Sequence, residues 1–76
     1  MEARHTTIHV ALLGEGTHVW RPVPARRIGA DVFELLGHEI HDPNLEEWEF
    51  LPGMRVRCET VVRHGEELLV ARQRVD

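Results

Sequence analysis

Few residues in this chain have chemistry to offer. His38-x-x-His41-Asp42 sets two imidazoles and a carboxylate close together, the donor types that bind divalent metal ions. Three such groups in a flexible acidic loop also arise by chance, so solvated histidines are the expectation. Neither a metal nor any other cofactor is expected, and His38, His41 and Asp42 are the set to check. His5 and His9 read as ordinary strand-surface residues. Cys58 is the single thiol. It falls at an inward position of an alternating segment, where a free cysteine behaves as a small core hydrophobe, and nothing in the sequence places a histidine beside it. Glu46, Glu47 and Glu49 are carboxylates on one stretch, the pattern of a solvated face rather than an acid–base pair. A small barrel has no interior room for a substrate either, so the expectation is that this is not an enzyme.

Trp20 and Trp48, the two tryptophans, carry the sharper idea. Exposed aromatic rings beside prolines and acidic loop residues form shallow grooves for extended or proline-rich peptides. Trp20, Arg21, Trp48, Glu46, Glu47 and Glu49 are the candidate residues for such a groove. Against this, the chain has two tryptophans, two phenylalanines and no tyrosine, so bulky residues are needed to fill its core. Both readings stay open for each tryptophan.

The elements that must position these residues are short strands. Thr7–Leu13 alternates, with Ile8, Val10 and Leu12 on one side, and Gly14-Glu15-Gly16 ends the segment with a turn. The segment from Val19 to Ile28 contains Pro22 and Pro24, which exclude a helix and require an edge, a bulge or pairing on the other side only. Unbroken alternation there sends Arg21 inward with Val19, Val23 and Ala25 and Trp20 outward, so either a bulge near Arg21-Pro22 or an ion pair must accommodate the guanidinium. Val32–Leu36 follows, with Phe33 and Leu35 inward. Residues 37–53 form a long loop, with one short helical turn capped by Asp42 ahead of Pro43 and an extended piece placing Trp48 and Phe50 on one side. Met54–Val62 and Glu67–Gln73 flank a hairpin turn at Arg63–Glu66. The doublets Val61-Val62 and Leu68-Leu69 break the alternation and leave the register near that turn open.

The expected fold is therefore all-β: a small five-stranded antiparallel SH3-like barrel with one long loop, occupying residues 6–75 as one domain after a flexible N-terminus at 1–5. At 76 residues the chain buries only about 60–65% of its unfolded surface, so the core has little slack. Its lone cysteine excludes an internal disulfide, a cytoplasmic reducing setting is expected, and no apolar run approaches the ~18 residues of a membrane helix. The N-terminus lacks the pattern of a signal peptide.

The stretches Glu15-Gly16-Thr17, Val19-Trp20-Arg21-Pro22-Val23, Glu47-Trp48-Glu49-Phe50, Pro52-Gly53 and Val56-Arg57-Cys58-Glu59 resemble the shared text of a group of small uncharacterised bacterial proteins. The resemblance covers roughly residues 8–71. It implies a bacterial source and a stand-alone small β-barrel, and it brings no activity or site residues with it.

Two partner classes follow. One is another protein, or a second copy of this chain, docking on a barrel face or strand edge; Leu13, Leu36, Val61 and Leu69 are outward apolar candidates for self-association. The alternative is nucleic acid, held by Arg26, Arg27, Arg55, Arg57 and Arg63. All nine basic residues are arginine, but the net charge of −4 gives the chain no help from counterion release. Arginines gathered beside an exposed aromatic ring would favour nucleic acid, and arginines interleaved with glutamates would favour protein.

Overall fold

Alternation of apolar and polar residues sets the strands. The computed structural model describes residues 5–16 and 19–75. Residues 1–4 of the expected flexible N-terminus, and Thr17 and His18 of the first turn, lie outside that range. Strand β1 (Thr6–Leu13) buries Ile8, Val10 and Leu12, and β2 (Trp20–Arg27) buries Val23 and Ala25. Strand β3 (Val32–Leu35) buries Phe33 and Leu35. A two-residue β4 (Glu47–Trp48) leads to the long hairpin of β5 (Arg55–Arg63) and β6 (Glu66–Arg74).

The hydrogen bonding runs in a ring. β1 pairs with β2, β2 with β3, β3 with β5, β5 with β6, and β6 returns to β1 at His9↔Val70. This is the all-β fold the alternation predicts, in a form compatible with a small barrel. It departs from a five-stranded antiparallel SH3-like barrel in two respects. A sixth strand, β4, attaches to the end of β1 at Leu12↔Trp48 and Leu13↔Glu47. The closing contact between β6 and β1 is parallel. Geometry requires the second difference: in a ring of five strands whose neighbours alternate in direction, the first and last run the same way.

Both prolines of β2 fit because of where the strand is paired. The β1–β2 register is unbroken from Thr6↔Ala25 to Ala11↔Trp20, so no bulge intervenes at Arg21-Pro22. The Pro24 carbonyl accepts from the Leu36 N–H at 2.9 Å, so the backbone groups of Pro24, and of Pro22 two residues earlier, face away from β1. The missing N–H groups therefore remove nothing from the β1 ladder.

In the β5–β6 hairpin, His64 (φ 53°) and Gly65 (φ 79°) form a two-residue turn with both central residues left-handed, the geometry that matches strand twist. Pairing is regular from Arg63↔Glu66 through Thr60↔Leu69 to Cys58↔Ala71. The irregularity lies farther down, between Arg57 and Cys58, where β6 holds Arg72 as an extra residue. The apolar doublets reflect a hairpin with contacts on both faces. Leu69 packs against the core, so it is not the outward apolar residue its position suggested, whereas Val61 and Leu68 lie opposite each other on the other face.

In the long loop, Gly37 (φ 93°) is buried and starts a turn. Asp42 caps a second one: its Oδ1 accepts from the Asn44 N–H at 2.9 Å, and its carbonyl accepts from Leu45 and Glu46 at 3.0 Å. The cap is used as expected, yet only this hydrogen-bonded turn forms and no helix, because the chain passes straight into β4. The inner cluster joins Ile8, Val10, Val23, Leu35, Trp48 and Val56 with their neighbours, and no polar or charged residue is buried among the described residues. Among the described residues, no helix is long and apolar enough to cross a membrane.

Candidate functional site

The two tryptophans part company on opposite faces of the sheet. Trp48, paired with Leu12, is 2% exposed and belongs to the core. Its Nε1 donates to Glu46 Oε1 at 3.1 Å, and the His41 ring lies 4.6 Å from it, centroid to centroid. Glu46 in turn accepts from Arg21, whose Nε reaches Oε1 at 3.0 Å while its Nη2 bonds Oε2. Hydrogen bonds from Arg21 first, then from Trp48, hold the Glu46 carboxyl below the ordinary carboxylate range, and Glu46 raises the Arg21 pKa. Arg21 thus follows the inward parity of Val23 and Ala25, but at the end of the strand it stays half-exposed and is satisfied by an ion pair.

This corrects the expected groove. Trp48 is covered, Glu46 is committed to clasping the long loop onto β2, and Glu47 and Glu49 are exposed. Glu49 contributes through its backbone, donating to the Ala11 carbonyl at 2.9 Å.

Trp20 sits on the outer face opposite Ala11 and remains partly exposed. Its ring meets the His9 ring edge-on at 6.3 Å, and the Arg63 guanidinium carbon lies 5.0 Å from its centroid. The ring borders two shallow depressions. One extends over Pro22, His9 and Leu68 toward the hairpin turn, and the other runs along Val61, Val62 and Arg63. Besides His9 and Pro22, the companions of Trp20 are hairpin residues more than forty positions away in the chain. The broken alternation at Val61-Val62 is their one trace in the sequence.

The candidate nucleic-acid arginines do not form a patch of their own: Arg26, Arg55 and Arg57 share the outer face of β2, β3 and β5 but are interleaved with Glu34 and Asp31. Arg26 bonds Glu34 through Nη2 at 2.6 Å, and Arg55 stands opposite the same glutamate, which lowers the Glu34 pKa, Arg26 contributing most. Arg27 donates to the Gly29 carbonyl at 3.0 Å and lies over Phe33. Arg57 meets Asp31 at 3.5 Å, and Arg72 meets Glu59 at 2.8 Å. Of the five, Arg63 alone stands beside a partly exposed tryptophan.

His38, His41 and Asp42 are not gathered either: His41 lies on Trp48 and Asp42 caps its turn. No group of three or more His, Cys, Asp or Glu residues is placed to hold a metal ion among the described residues. Cys58 is 8% exposed on the inner face, and burial, with a smaller effect from Asp31, pushes its pKa to about 11. The thiol therefore stays protonated at neutral pH and is poorly suited to nucleophilic work. The outer face presents an aromatic surface, a cation stacked on it and a largely apolar slot. No protein-family model, curated protein or solved structure matches the chain.

Proposed function

We propose that this protein is a non-enzymatic interaction module that docks another protein chain through the outer face around Trp20. The observation that carries the reading is the placement of this large ring outside a barrel whose core is already filled by Trp48, Phe33 and Leu35. Partly exposed aromatic side chains flanked by arginine are the residue types that dominate protein contact surfaces. The pairing of Arg26, Arg57 and Arg72 with Glu34, Asp31 and Glu59 favours a protein partner over nucleic acid, since these charges are spent within the sheet. The buried, protonated Cys58 supports a reducing cytoplasmic setting, and a bacterial source accords with the resemblance noted above.

The test replaces Trp20 with a photoactivatable aromatic residue and compares cross-linked products in the native host with those from a probe at exposed Leu45 on the loop. The reading expects a discrete protein adduct from position 20 alone. Equal adducts from both positions, or loss of the position-20 adduct on nuclease treatment, would refute it.

A further inference from the structure

The hairpin carries an edge that the ring does not use. Strand β3 pairs with β5 only over Arg55–Arg57, so among the described residues β5 beyond Cys58 is paired on its β6 side alone. The Cys58 N–H donates to the Asp31 carbonyl at 2.8 Å, on the side away from β6. Backbone groups alternate along a strand, so the N–H and C=O of Thr60 and Val62 lie on that same outer edge. A second observation places a slot there. Trp20 and Arg63 line it together with both Val61 and Val62. Consecutive strand residues point to opposite faces, so a depression touching both runs along the strand's edge, and β6 occupies the other edge. Val62 is 69% exposed.

We propose that this edge pairs with the same segment of a second copy, joining two hairpins into one antiparallel sheet about a two-fold axis at Val61. This rests on the reading of the Trp20 face as a contact surface. The sequence Glu59-Thr60-Val61-Val62-Arg63 is complementary to itself when reversed. With Val61 against Val61, Thr60 meets Val62 and exchanges backbone hydrogen bonds with it, and Glu59 meets Arg63 on each side of the axis. A β-branched strand edge with opposite charges at its two ends selects this register over its neighbours, because a slip by one residue turns every side chain to the other face. Glu59 already accepts from Arg72 within its own chain, and Arg63 lies over Trp20. In the dimer each joins a charge network across the axis and the slot beside Trp20 is covered.

Sedimentation equilibrium over a wide concentration range reads the association. Wild type is expected to dimerise reversibly. E59R and R63E each turn two facing pairs from attraction to repulsion and should each weaken the dimer about thirtyfold. An equimolar mixture of E59R with R63E should regain wild-type association, since each reversed side chain then meets its opposite. Val61→Cys tests the same axis without relying on charge. A non-hydrogen-bonded antiparallel pair has Cα atoms about 4.5 Å apart, within disulfide range. Mild oxidation should therefore give a covalent dimer, and Val62→Cys, off the axis, should not. A wild-type chain that stays monomeric up to millimolar concentration overturns the proposal. So does a mixture that fails to recover, or equal cross-linking at both cysteine positions. A monomer that still gives the position-20 adduct with another protein would sink this inference and leave the proposed function standing.

Discussion

Truncating each tryptophan in turn separates the architectural ring from the surface one. Trp48 is 2% exposed, so Trp48→Ala removes nearly all of a side chain that buries about 150–250 Å² and takes away one of the two hydrogen bonds that Glu46 Oε1 accepts. Core truncations of this size cost about 3–5 kcal/mol. A chain of this length is stabilised by about 4–11 kcal/mol in total. The variant should therefore be partly or wholly unfolded at room temperature, or melt at least about 15 °C lower. Trp20 is partly exposed and loses a stacked guanidinium and the edge contact with His9. Trp20→Ala should cost only about 1 kcal/mol, roughly the worth of one cation–π contact and some apolar area. Urea titrations followed by far-ultraviolet circular dichroism give both numbers on one scale. If the two losses agree within about 1 kcal/mol, the assignment of Trp48 to the core and Trp20 to the outside is wrong, and the reading of the outer face falls with it.

The clasp predicts an acid dependence of known sign. Because Arg21 and Trp48 hold the Glu46 pKa below its unfolded value, the stability it contributes is present above the ordinary carboxylate pKa and is lost as pH falls through the depressed one. The gap in urea midpoint between wild type and Glu46→Gln should accordingly be widest near neutrality and close below about pH 4; a gap that widens on acidification would reverse the sign. At Gly37 (φ 93°) an added Cβ would lie 3.2 Å from Val23 Cγ1, so Gly37→Ala should cost about 1–3 kcal/mol by left-handed strain and crowding together. Gly16→Ala, at φ 94° with nothing within 4 Å, carries the strain alone and should cost less in the same melting assay; equal losses would remove the crowding argument.

Much of the fold is legible in the sequence because period-two patterning is a local property. Ile8-Val10-Leu12, Val23-Ala25, Phe33-Leu35 and Val56-Cys58 lie inward as their alternation requires, and His64-Gly65 turns the hairpin as a glycine-containing two-residue loop should. The same parity argument sends Arg21 inward and calls for either a bulge or an ion pair; the β1–β2 register is unbroken, and Glu46 of the long loop supplies the ion pair.

Other features lie beyond a local reading. Whether Trp48 and Trp20 share a groove depends on how β4 attaches to β1, a two-residue pairing that leaves no periodic trace. The company Trp20 keeps depends on where ring closure and the bulge at Arg57/Cys58 carry the hairpin, which brings Arg63 and Val61 to a ring on β2. The sequence by itself determined the strands, their inward faces and the need to satisfy Arg21, because each follows from the chemistry of neighbouring residues. Tertiary structure alone decided what covers Trp48, what Trp20 meets on the outer face and which strand edge stays open, because all three depend on register between strands that lie far apart in the chain.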